Sequence, residues 1–176
     1  MGRHQPGRRA RYWRRGTGVP EEATTIDDRI ESNGRLIAVL LIALGLPQLA
    51  IGLWALLAPH SFYSDFPAGA GWVSKLGPYS EHLLRDVGSL FAGLGVLLAL
   101  AAVLQRRCLM QAAVATWLLF AVPHAIYHVL NLEPYGTTDA VANIATLAWT
   151  VLAPVIVLAL LRRPPSARPP AKAPAG

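Results

Sequence analysis

The chain has 176 residues, 53% of them hydrophobic, one cysteine and a formal net charge of +6. A single thiol, Cys108, excludes an intrachain disulfide, a Cys-x-x-Cys redox pair and a thiolate zinc site. The apolar residues are gathered in long blocks instead of being spread with amphipathic periodicity, which is the pattern of a membrane protein.

Residues 1–34 form a basic tail containing "GRHQPGRRARYWRRG". Its arginine pairs resemble a twin-arginine export signal, but no apolar segment follows closely enough for one. Position six is Pro6, where myristoylation calls for Ser or Thr. The tail is therefore expected to lie against anionic lipid headgroups, with no role in nucleic-acid binding.

Four apolar blocks follow, at residues 36–58, 83–104, 112–132 and 140–161. Each has the ~20 residues that cross a ~30 Å hydrocarbon core. The expected fold is all-α, an antiparallel bundle of four transmembrane helices over residues 35–161, followed by a proline-rich tail at 162–176. Fourteen of the sixteen Lys and Arg residues fall on the side of the termini; only Lys75 and Arg85 fall on the other. The positive-inside rule then places both termini in the cytoplasm, in a multi-pass protein of the bacterial cell membrane.

Between the first two blocks lies "PHSFYSDFPAGAGWVSKLGPYS", residues 59–80. Its aromatic residues suit the headgroup zone, and because it joins helices whose outer ends must meet, it is expected to lie across the bundle mouth as an outer loop. The second span opens on "PYSEHLLRD", with Ser80 as the expected N-cap and Glu81 paired to Arg85 at i, i+4. The fourth opens on "TTDAV", with Thr138 or Asp139 expected as its cap.

The polar residues of the membrane region concentrate in its outer half. In the second span His82, Asp86, Ser89 and Gly93 recur on one face and are expected to point into the bundle. In the third, "PHAIYHVLNL" puts His124, His128 and Asn131 on one face; in the fourth, Asp139, Asn143, Thr146 and Thr150 do the same. Reflecting neighbouring helices about their turns puts Asp86, His128 and Asn143 in one layer, with His82 and Asp139 above and His124 one turn below. These residues are the candidate ligand pocket, an outer-leaflet polar one. Pro47, Pro123 and Pro154 lie inside spans, and each frees a backbone carbonyl four residues earlier and favours a kinked, less tightly packed bundle. Trp54, Trp117 and Trp149 form no motif.

No phosphate-binding glycine loop, nucleophile elbow or metalloprotease helix is present; "HAIYH" lacks the required Glu. The stretches "SFYSDFP", "GPYSEHLLRDVG" and "VPHAIYHVLNL" resemble a group of small, functionally uncharacterised four-helix integral membrane proteins of actinobacterial type. The resemblance covers residues 35–161 and implies the same topology; a weaker architectural likeness to DoxX-like proteins implies quinone or redox partnership. Three functions stay open. The first is a non-catalytic protein that binds a lipid, quinone or other small amphiphile, or acts as a membrane partner subunit or homo-oligomer. The second is a zinc-dependent hydrolase in which His82, His124, His128 and Asp86 hold and orient the metal site. The third is a haem protein with histidine ligands on the second and third spans.

Overall fold

The computed structural model describes residues 33–162. The expectations placed on the basic and proline-rich tails lie mostly outside the described residues. Among the described residues there are five helices: α1 (Gly34–Leu57), α2 (Pro59–Asp65), α3 (Glu81–Leu104), α4 (Arg107–Leu130) and α5 (Thr137–Arg162). No strand occurs among the described residues. All but α2 are long and apolar enough to cross a bilayer, so the chain is an all-α integral membrane protein with four candidate spans.

Each spanning helix starts before its apolar block. The third span starts at Arg107 and not near 112, and the fourth at Thr137, because a helix continues into the interfacial zone wherever its backbone can hydrogen-bond internally. Within the outer loop the structure adds α2. Pro59 occupies its first turn, where a missing N–H costs nothing and a fixed φ suits the helix. Ser80 does precede α3, but its side chain makes no capping bond; the start is held by the Glu81–Arg85 pair at 2.8 Å instead. Asp139 is likewise no cap. It lies in the first turn of α5 and binds Lys75.

The two ends of the bundle differ. At the terminal end, Gly34 abuts Gln105, and the Arg107 guanidinium donates to the Leu161 carbonyl, a cation on the carbonyl-rich end of α5. At the loop end, Arg85 donates to the Leu56 carbonyl at 2.6 Å and closes the end of α1 in the same way. Around the bundle the order is α1, α3, α4, α5. The adjoining pairs are α1 with α3, α3 with α4, α4 with α5 and α1 with α5, so α1 stands diagonally across the interior from α4, and α3 from α5.

The closest packing is between α1 and α3, and glycines set it. A Cβ on Gly52 would lie 2.4 Å from the Ala92 backbone nitrogen, one on Gly88 2.5 Å from that of Leu56, and one on Gly95 2.6 Å from that of Leu49. Gly52 follows Gly45 by seven residues, as Gly95 follows Gly88, so each helix brings a strip of bare backbone to the seam. This strip fixes the rotation of α3. At about 100° per residue, the face bearing His82, Asp86, Ser89 and Gly93 turns away from the core, and the inward expectation for it is overturned: all four are exposed. Gly93 has open space where a Cβ would stand.

In the terminal half the interior is filled by Ile37, Leu41, Leu98, Met110, Val114 and Val157, all fully buried. Near mid-bundle Trp117 is 1% exposed, and its indole N–H donates to the Thr150 carbonyl at 2.7 Å. That carbonyl is the one Pro154 releases from the α5 ladder. The proline and the tryptophan thus form one device that joins α4 to α5 and leaves no orphan acceptor.

A candidate ligand cavity in the loop half

Above Trp117 the packing stops, and a cavity of about 450 Å³ occupies the loop half of the bundle. Its walls come from all four spans. Its roof is the segment after α1: Phe62, Phe66, Pro67, Trp72, Val73 and Leu76 all line it. Aromatic contacts bind this roof to α1, with Trp54 at 5.8 Å from Phe62 and 6.1 Å from Phe66 between ring centroids. Tyr63 donates to the Gly77 carbonyl at 2.7 Å and draws the segment into a compact strap.

On the far side the strap is latched to the α4–α5 turn. Lys75 pairs with Asp139 at 2.9 Å and lies 5.4 Å from the Tyr135 ring centre, while the Tyr135 hydroxyl donates to the Trp72 carbonyl at 3.1 Å. Burial above all, together with the nearby Tyr127 and Asp139, pushes the Tyr135 phenol above its usual 10.0.

Histidines 124 and 128 stand on the α4 wall, with ring centroids 4.4 Å apart in an edge-to-face arrangement. His124 is stacked on Phe120 at 4.9 Å, and Phe120 packs on Phe91 at 4.8 Å. Asn143, buried on α5, reaches the His128 Nδ1 at 3.5 Å. This is the one contact of the expected layer that forms.

The other expected members are elsewhere. His82 and Asp86 pair with each other at 3.2 Å on the perimeter of α3, their side chains 90% and 63% exposed. Ser89 bonds the Asp86 carbonyl on its own helix, Asn131 bonds the Tyr127 carbonyl at the end of α4, and Asp139 holds the latch. The four-residue donor set expected for zinc therefore does not assemble, and no group of three or more His, Cys, Asp or Glu side chains is placed to hold a metal among the described residues. The same rotation removes His82 from any position facing His124 or His128, as a bis-histidine haem pair between α3 and α4 would need.

A residue with no part in the expected site lies opposite. Gln48 on α1 lines the cavity, is only 8% exposed, and its amide nitrogen has no hydrogen-bond partner among the described residues. The signal for it was in the sequence: Gln48 is the sole polar side chain of the 36–58 block. Pro47 beside it frees the carbonyl of Ala43, another lining residue. Thr146 and Thr150 also line the space, but their hydroxyls are bonded to carbonyls of α5. The expectation of a polar pocket is corrected accordingly: the walls are mainly aromatic and aliphatic, with a few hydrogen-bonding groups among them.

Compared with protein families, with curated proteins and with solved structures, the chain shows no significant match.

Proposed function

We propose that the protein is a non-catalytic binding protein of the cell membrane that holds a small amphiphile, a lipid or a quinone, in the loop half of its bundle. The observation that carries this is the cavity itself: about 450 Å³ under an aromatic strap, with Gln48 and two imidazoles among mainly apolar walls. Ligand sites are of this size and character, apolar with a small number of placed polar groups that orient the ligand. The charge distribution supports an orientation with both termini in the cytoplasm, so that the strap and cavity belong to the outer leaflet. The topology is also that of the small four-helix proteins the sequence resembles, which supports membership of that group.

Mass spectrometry of lipids extracted from protein purified in mild detergent tests the proposal. Wild type is expected to carry one dominant amphiphile near one per chain, and Thr150→Trp, which fills the cavity beside Trp117, is expected to lose it. Equal lipid profiles in the two proteins would reject the cavity as the binding site.

A further inference from the structure

Resting on the reading that the cavity takes an amphiphile, we infer that its ligand is uncharged, with an oxygen-bearing polar group held between Gln48 on α1 and the His124–His128 pair on α4. Three independent observations lead there.

Among the described residues, no Asp, Glu, Lys or Arg lines the cavity. Charged side chains of the loop end pair with one another outside it: Lys75 with Asp139, and Arg85 with Glu81, while Asp86 pairs with His82. A phosphate, carboxylate or ammonium brought inside would meet nothing of opposite sign, and an unpaired charge in an apolar space is strongly disfavoured. A phospholipid or a fatty-acid anion is thus the wrong class.

The unengaged hydrogen-bonding groups stand on opposite walls, and the roof adds the Trp72 indole N–H, a second buried donor with no partner among the described residues. Gln48 offers an amide N–H₂ that has no acceptor, a buried donor that a ligand carbonyl or hydroxyl oxygen would satisfy. His124 makes no side-chain hydrogen bond among the described residues, and His128 is engaged at Nδ1 only, by Asn143. Gln48 lies nine residues from the end of α1 and His124 six from the end of α4, which puts them at about 14 Å and about 9 Å below the loop end. Because α1 and α4 stand diagonally across the bundle and both line the cavity, a ligand between these groups fills that diagonal.

The cavity also has a lateral opening. Ala43 and Pro47 on α1 and Thr146 and Trp149 on α5 all line it and are all exposed on the flank where these two helices adjoin. That flank faces hydrocarbon, since the four residues lie within the spans. A ligand passing there leaves the bilayer interior directly, which an uncharged amphiphile does at little cost and a charged head does not.

The test uses the full-length protein in uncharged detergent and the quenching of its tryptophan fluorescence. The probes are dibromostearoyl glycerol, dibromostearate with the same brominated chain, and a short-tailed benzoquinone, at about pH 9, well above the carboxylate range. Saturable quenching by the glyceride or the quinone, at least tenfold tighter than by the carboxylate, and weakened about tenfold in Gln48→Leu, is the expected result; which neutral probe is tighter distinguishes an acyl-glycerol head from a ring. Equal affinity for glyceride and carboxylate would overturn the neutral-ligand inference while leaving amphiphile binding intact. No saturable quenching by any probe would overturn both. Gln48→Asn, which keeps the amide on a shorter stem, is expected to retain more affinity than Gln48→Leu; equal loss in the two would remove Gln48 from the ligand contact.

Discussion

The two halves of this bundle are built from the same four helices, yet one is solid and the other hollow. In the terminal half, aliphatic side chains such as Leu41, Leu98 and Val157 meet at the axis and exclude everything else. In the loop half, the diagonal between α1 and α4 crosses the cavity; aromatic residues line its walls and the strap roofs it. The glycine seam between α1 and α3 runs through both halves, from Gly45 and Gly95 to Gly52 and Gly88. A tight helix pair on one side of a bundle therefore does not close the bundle. It leaves the remaining two helices to decide, by the size of their side chains, where the interior fills.

The strongest way to break the contrast is to wedge the seam. Gly52→Ala or Gly88→Ala puts a methyl group into backbone atoms that cannot rotate away, and a loss of about 3 kcal/mol is expected. Gly93→Ala, on the open face of α3, is expected to be neutral. Thermal unfolding in detergent compares the three; equal effects would mean that the seam does not hold the pair.

Next in size is the boundary between the halves. Trp117→Phe deletes the N–H that satisfies the Thr150 carbonyl and is expected to cost about 2 kcal/mol. In a Pro154→Ala background α5 can satisfy that carbonyl itself, so the same change is expected to cost less. A double-mutant cycle reads the difference, and perfect additivity would separate the tryptophan from the proline.

The strap gives the smallest effects. Lys75→Ala removes one partly exposed ion pair and is expected to change stability by less than about 1 kcal/mol, while speeding exchange of backbone amides in residues 66–76, read by hydrogen exchange. The Tyr135 hydroxyl adds a pH dependence. Its folded value is raised, so its bond to Trp72 is fully present below the unfolded phenol range near pH 10 and is lost as pH rises through the higher folded value. Strap exchange should accelerate with alkaline pH in wild type beyond the intrinsic chemical rate, and this excess should vanish in Tyr135→Phe.

Much of the bundle was legible because membrane spans are written in composition. Four apolar stretches of sufficient length have one economical arrangement when every backbone group must be bonded internally. The pairing of His128 with Asn143 was legible too, since two helices joined by a short turn share a depth scale. The place of Asp86 was not. Reflection about a turn sets the depth of a residue but not its azimuth, and polarity alone does not mark the inner face of a helix. In α3 the stronger preference belongs to the glycines, whose value is the close approach they permit to a particular partner helix. Gln48 escaped for a related reason: a lone polar residue has no periodicity, and only its burial without a partner distinguishes it.

The number of spans, their order and their alternation follow from the sequence alone, because transfer of apolar surface out of water is a property of each segment by itself. The rotation of α3, the exposure of His82 and Asp86, and the meeting of Gln48 with His124 and His128 around one cavity were decided by the tertiary structure. Those depend on which backbones can approach most closely, and that is a property of pairs of helices.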